Sequence, residues 1–498
     1  MSGTKMTSKN IFCCLGALFC SVVSASDVDR QLGTLTFKPC TLSQPDSSIT
    51  VEAQCTKFEV PENRAAPQAR KIKLAIAWVP SDHPEPASDP VLMLAGGPGQ
   101  SALQSYPGLA SAFARILRKR HIILIDQRGT GDSNPLLCRN RQGQSAVTES
   151  LKDTPQAAAE FARDCAQQLQ TKADVRYYST TQAVDDLDAV REALNIDKVN
   201  LVGVSYGTRV AQQYARKYAE HTRSLVLDGV VPNDLVLGGE HAQNLEAALD
   251  QYFARCAKVP QCHERFGSPR VKLDELLGQL RQSPMMVRYR DPLSGEERHE
   301  SFDAQHLGAV VRMFAYSPQM AAILPLSLHE AQAGRPEQLM AQSQMINSVL
   351  GEQIMHGMQL SVMCTEDADD LKVDPSQNKT VMGNALIEFL LAQCKVWPHG
   401  ARPESFREPL RTDIPILILS GEFDPVTPPR YGEQVLKGLS QGRHLVARGA
   451  GHNVFPIACI SKIATEFINT AKPASLNVKC LDHLNYVAPF TGHYGWEP

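Results

Sequence analysis

The sequence predicts an α/β protein with a mostly parallel sheet flanked by helices and a helical insertion. Three observations carry this. Short apolar runs alternate with amphipathic stretches between about residues 71 and 230. The alternation gives way to helical periodicities, with few strand candidates, from about Asn233 to about Arg402. It then resumes at Ile414-Pro415-Ile416-Leu417-Ile418-Leu419 and closes with a strand over Arg443 to Ala447. Strands that are apolar throughout belong in a sheet covered on both faces. The insertion is expected to sit as a cap over the carboxyl ends of those strands.

Taken in order, the chain opens with a targeting signal. Lys5 and Lys9 form a basic region, Ile11 to Val23 an apolar one, and Val23-Ser24-Ala25 a small-residue cleavage site. The apolar run is short for a bilayer span, so an uncleaved anchor is the lesser alternative. Cys20 follows Phe19, too bulky for a lipoprotein cleavage site, so no lipid anchor is expected. The organisation that follows is a signal over 1–25, a first core part over 26–232, the cap over 233–402 and a second core part over 403–498. Residues 26–70 read as irregular, with one short strand at Lys57 to Val60. Strands are expected at Lys71–Val79, Pro90–Leu94, His121–Ile125, Val199–Val204 and Ser224–Val230, with a capped helix over Thr181–Leu194.

Composition limits the function classes. Hydrophobic residues make up 43% and charged residues 21%, as in ordinary globular proteins. A formal net charge of -3 gives no reason to expect nucleic acid or an anionic membrane as partner. Beyond the signal, the cysteines fall in sequence as Cys40 and Cys55, Cys138 and Cys165, Cys256 and Cys262, Cys364 and Cys394, Cys459 and Cys480. In an exported chain, periplasmic or secreted, neighbours of this kind are expected to pair as disulfides. Zinc would need paired C-x-x-C or C-x-x-H spacing, which is missing, and neither metal nor cofactor is expected.

The chemistry centres on Gly203-Val204-Ser205-Tyr206-Gly207, between an apolar strand and an amphipathic helix. In that setting G-x-S-x-G places a serine on a sharp turn, with its hydroxyl raised out of the sheet. A serine hydroxyl needs a neighbouring base, oriented in turn by an acid. Asp424 and His452 follow the last two strands, in the Ser…Asp…His chain order of α/β-hydrolases. Glu422 and Asp228 are the rivals for the acid, and Asp228 reads as structural. The loop Ala95-Gly96-Gly97-Pro98-Gly99 is the candidate oxyanion hole. Pro98 has no N–H, so the donors expected are Gly97 and Tyr206.

These stretches, with Asp-Gln-Arg-Gly-Thr-Gly-Asp-Ser at 126–133 and Gly-Glu-Phe-Asp-Pro-Val-Thr-Pro at 421–428, resemble the prolyl and tripeptidyl aminopeptidase family. The resemblance runs from about residue 70 to the end and is weakest across the cap. It implies an α/β-hydrolase-fold serine exopeptidase that removes short peptides or aminoacyl groups from a free N-terminus. Ala95 stands where many prolyl members carry His, which favours the exported tripeptidyl branch. Relatives bind the substrate ammonium with cap carboxylates, and here Glu366, in the cluster Glu366, Asp367, Asp369, Asp370, is the candidate. Met340, Met345, Met355, Met358 and Met363 read as core, with an adaptable pocket as the alternative. A carboxylesterase or lipase-like enzyme with the same triad is the second reading, and a non-catalytic binding protein of this fold the third.

Overall fold

The computed structural model describes residues 29–45, 47–139, 154–492 and 495. The expected signal lies outside them. The strands, in chain order, are β1 (Arg30–Leu32), β2 (Leu35–Ser43), β3 (Thr50–Pro61), β4 (Lys71–Val79), β5 (Val91–Leu94) and β6 (Ile122–Ile125). They continue with β7 (Val199–Val204), β8 (Thr222–Asp228), β9 (Met285–Arg290), β10 (Glu297–Phe302), β11 (Ile416–Gly421) and β12 (Gly442–Ala447). All but β9 and β10 form one sheet in the order β1-β2-β3-β4-β6-β5-β7-β8-β11-β12. From β6 to β12 every neighbouring pair is parallel, and the strands before it are antiparallel. This is the α/β-hydrolase fold that the sequence predicts.

The central strands are buried along their length apart from Val204 and Arg223, as strands covered on both faces require. Apolar clusters cover both faces: Leu94, Ile123, Leu201 and Leu227 pack on one side, Met93, Leu124, Val202 and Leu419 on the other. Two regions depart from the sequence reading. Residues 30–61 form three antiparallel strands where mostly irregular chain is expected, and Cys40–Cys55 joins β2 to β3. Their faces alternate between exposed and buried, so no apolar run announces them. The insertion also holds a hairpin, β9 with β10, whose only well-buried side chains are Val287, Tyr289 and Phe302.

The insertion has its own core, with Leu245, Leu249, Leu277, Val310, Phe314 and Leu328 in one cluster. Helix His356–Glu366 instead joins the apolar cluster on one face of the sheet, the one that holds Tyr206, Val210 and Tyr214. Met355, Met358 and Met363 lie in that sheet-side cluster and Met340 in the insertion's, while Met345 is exposed. All five expected disulfides form, Cys364–Cys394 bracing helix His356–Glu366 and Cys138–Cys165, Cys256–Cys262 and Cys459–Cys480 each closing a local loop.

Candidate active site

At the end of β7 the chain reverses at Ser205, with φ 54° and ψ -123°, and enters helix Tyr206–Lys217. A non-glycine residue there is strained and is held by its surroundings. The two flanking glycines are required by close approach. A Cβ at Gly203 would collide with the backbone of Gly207, and one at Gly207 with the carbonyls of Leu94 and Ala95. The Ser205 N–H donates to Asp228 O at 2.8 Å. Its Oγ makes no hydrogen bond among the described residues. Catalytic hydrogen bonds commonly tighten only with substrate in place.

The loops after β11 and β12 bring Asp424 and His452 together, His452 Nδ1 lying 2.8 Å from Asp424 Oδ2. Asp424 is buried, and it also accepts from the N–H groups of Val426 and Thr427 and from Thr427 Oγ1. Burial alone would raise its carboxyl; the His452 charge and these donors outweigh it and hold the pKa low. Burial would likewise depress the His452 imidazole, but Asp424 outweighs it and the pKa is raised. A Cβ at Gly229 would lie 2.9 Å from His452 Cε1, so the ring rests against the end of β8, beside the residue that holds Ser205.

The rival acids are used elsewhere. Asp228 accepts from the N–H groups of Val454 and Phe455, tying the His452 loop to β8, and burial pushes it up to about 6. Glu422 accepts from Gly449 N and Tyr486 Oη. The motif at 126–133 is likewise a brace. Arg128 forms a buried pair with Asp186, and Asp126 accepts from Ser101 Oγ, Leu103 N and Asp132 N.

Gly96 sits against the serine, since a Cβ there would lie 3.2 Å from Ser205 Cβ. The next residue, Gly97, is exposed and has φ 106°. Neither its N–H nor that of Tyr206 is hydrogen-bonded among the described residues. Tyr206 opens its helix, where free N–H groups favour negative charge. The Gly97 loop is pinned from the far side, where Met355 N donates to Gly99 O at 3.0 Å.

Glu366 is not brought to this group. It is buried behind the elbow, where Oε1 accepts from Thr180 N at 2.6 Å and Oε2 from Thr180 Oγ1 at 2.8 Å. Thr180 Oγ1 also lies 2.6 Å from Tyr206 Oη. Burial, only partly offset by Arg209, pushes its carboxyl up to about 7. The structure does not present Glu366 to a substrate ammonium: it is buried, and both its oxygens hold Thr180. Its neighbour Asp367 pairs with buried Arg209 at 3.0 Å, so this acidic cluster latches helix His356–Glu366 to the serine helix.

Sequence reasoning missed the residues that the insertion contributes. Tyr316 O accepts from His452 N at 2.9 Å, and its ring stands edge-on to the imidazole at 5.3 Å. His241, at the start of helix His241–Lys258, is pushed down to about 3, first by burial and then by Arg312 and His452. No motif marks these residues. Only the length of the insertion signals that something covers the site. Among the described residues no cluster of His, Cys, Asp and Glu could hold a metal ion, and no helix is long and apolar enough to cross a membrane.

Residues 89–263 match the family model described as alpha/beta hydrolase fold, and residues 379–480 match the one described as TAP-like protein. The chain is 24% identical to serine protease Hip1 of Mycobacterium tuberculosis, over 89% of this chain and 90% of that protein. It is 27% identical to tripeptidyl aminopeptidase of Streptomyces lividans over 37% of each chain. Among solved structures, proline iminopeptidase of Mycobacterium smegmatis aligns over 84% of this chain and 98% of that one, at 16% identity and a TM-score of 0.42.

Proposed function

We propose that this chain, an α/β-hydrolase-fold protein with a TAP-like C-terminal region, is a serine peptidase that hydrolyses short peptides or aminoacyl amides from a free N-terminus. The observation that carries the reading is the Asp424–His452 hydrogen bond, formed beside a strained serine turn that faces two unpaired N–H groups. Ser205 Oγ attacks the substrate carbonyl while its proton passes to His452 Nε2. The carbonyl oxygen becomes an oxyanion held by the N–H groups of Gly97 and Tyr206. His452 then gives its proton to the departing amine as the C–N bond breaks, leaving an acyl-enzyme on Ser205. Water, deprotonated by His452, releases the acid and restores the serine. Asp424 keeps the Nδ1 proton in place and stabilises the imidazolium.

Peptides as substrates are supported by the relatives named serine protease Hip1 and tripeptidyl aminopeptidase. Export to an oxidising compartment is supported by the five disulfides. The commitment of Glu366 to Thr180 favours keeping ester hydrolysis as a second reading, since one triad serves both. Comparing free and N-acetylated forms of one short chromogenic peptide, beside a simple acyl ester, separates the two. Exopeptidase action predicts a clear preference for the free amine. Equal peptide rates with fast ester turnover would favour the esterase.

A further inference from the structure

Helix Ala304–Ala315 runs into Tyr316, which keeps helical backbone angles and carries both contacts to His452. Arg312 stands one turn earlier. Residues four apart share a helix face, so Arg312 is presented on the same side of the insertion as Tyr316. His241, from the neighbouring helix, lies within electrostatic reach of Arg312, His452 and Asp424 at once. A cation of the insertion thus stands one turn from the residue that contacts His452.

Arg312 is partly buried, yet it forms no hydrogen bond or ion pair among the described residues. Every other arginine between residues 241 and 347 holds a carboxylate, a carbonyl or an aromatic ring. Two acids around His241 are taken: Glu240 by Arg430 and Tyr431, Glu246 by Arg270 and Val381 N. His241 stays neutral near pH 7 and offers no negative charge. An unpartnered guanidinium that reaches solvent is free to take a ligand, and its planar fork matches a carboxylate.

We infer that Arg312 is a specificity-determining residue that pairs with a carboxylate of the substrate. This deepens the peptidase reading and rests on it. The carboxylate is either the C-terminus of a short peptide or an acidic side chain, which present the same planar anion. An N-terminal ammonium would be repelled at this point and must lie elsewhere in the site.

The test compares two matched pairs on the full-length protein: one short peptide with a free or amidated C-terminus, and one with Glu or Gln at a single position. Wild type should prefer the anionic member of at least one pair by about ten- to a hundred-fold in kcat/KM, mostly through KM. The pair that responds identifies the source of the carboxylate. Arg312→Gln should bring that member down to its neutral partner, and Arg312→Lys should keep part of the preference. Labelling of Ser205 by an uncharged fluorophosphonate reports that each variant is folded. Equal rates within both pairs in wild type, or a preference that persists in Arg312→Gln, would overturn the inference. If wild type cleaves no peptide and Ser205 takes no label, the hydrolase reading itself falls.

Discussion

Behind Ser205 the buried carboxylates are paired, whereas in front of it several polar groups are left open. On the buried side Glu366 holds Thr180, and Asp367 holds Arg209, the N–H of Leu237 and Arg407. On the side facing the insertion, Ser205 Oγ, the N–H groups of Gly97 and Tyr206, and the Arg312 guanidinium have no partner among the described residues. Glu366 and Asp424 are equally buried, yet their environments push them in opposite directions. The difference teaches that burial alone does not identify a catalytic carboxylate. What their oxygens hold separates the two: a threonine at the helix latch in one case, the histidine His452 in the other.

The largest effects are expected in front. Ser205→Ala or His452→Ala should each lower kcat by on the order of a thousand- to a million-fold, measured on any peptide that wild type cleaves. Asp424→Asn should cost about ten-thousand-fold. It should also move the pH profile, because the Asp424 charge raises the His452 pKa and only neutral imidazole accepts the serine proton. Activity in wild type therefore rises with pH through a value above that of an ordinary histidine. In Asp424→Asn the remaining activity should rise at lower pH.

Behind the serine, the same chemistry should appear as stability. Asp367→Ala leaves Arg209 buried without its carboxylate, and urea unfolding should show a loss of about 3–5 kcal/mol. Glu366→Gln should act more gently and with the opposite sign. The folded protein keeps the Glu366 proton up to about pH 7, whereas an unfolded glutamate loses it near 4.5. Between those values the folded state binds the extra proton, so this group's contribution to stability falls as pH rises. The variant should match wild type near pH 5 and exceed it by about 1–3 kcal/mol at pH 8.

Much of this arrangement was legible in the sequence for a simple reason. β5, β6 and β11 read as apolar runs, β7 and β8 keep an apolar stretch at their centres, and the loops that follow β7, β11 and β12 hold Ser205, Asp424 and His452. The antiparallel strands β2 and β3 were not legible, because their exposed faces carry Lys38, Thr41 and Glu52 and Pro39 interrupts the pattern. The placement of Glu366 was not legible because an acidic cluster after an apolar run looks the same whether it faces substrate or the interior. Only the place of helix His356–Glu366 in the cluster that holds Tyr206 and Tyr214 decides between them. Tyr316 ends an ordinary amphipathic helix, and its place against His452 comes from tertiary packing alone.

The central claim is that Ser205, served by His452 and Asp424, is the nucleophile of this protein. Its most direct test is peptide mapping by mass spectrometry after reaction with a fluorophosphonate. The account predicts one modified residue, Ser205, with labelling abolished in Ser205→Ala and strongly slowed in His452→Ala. Label on another residue, or turnover that survives Ser205→Ala, would contradict it.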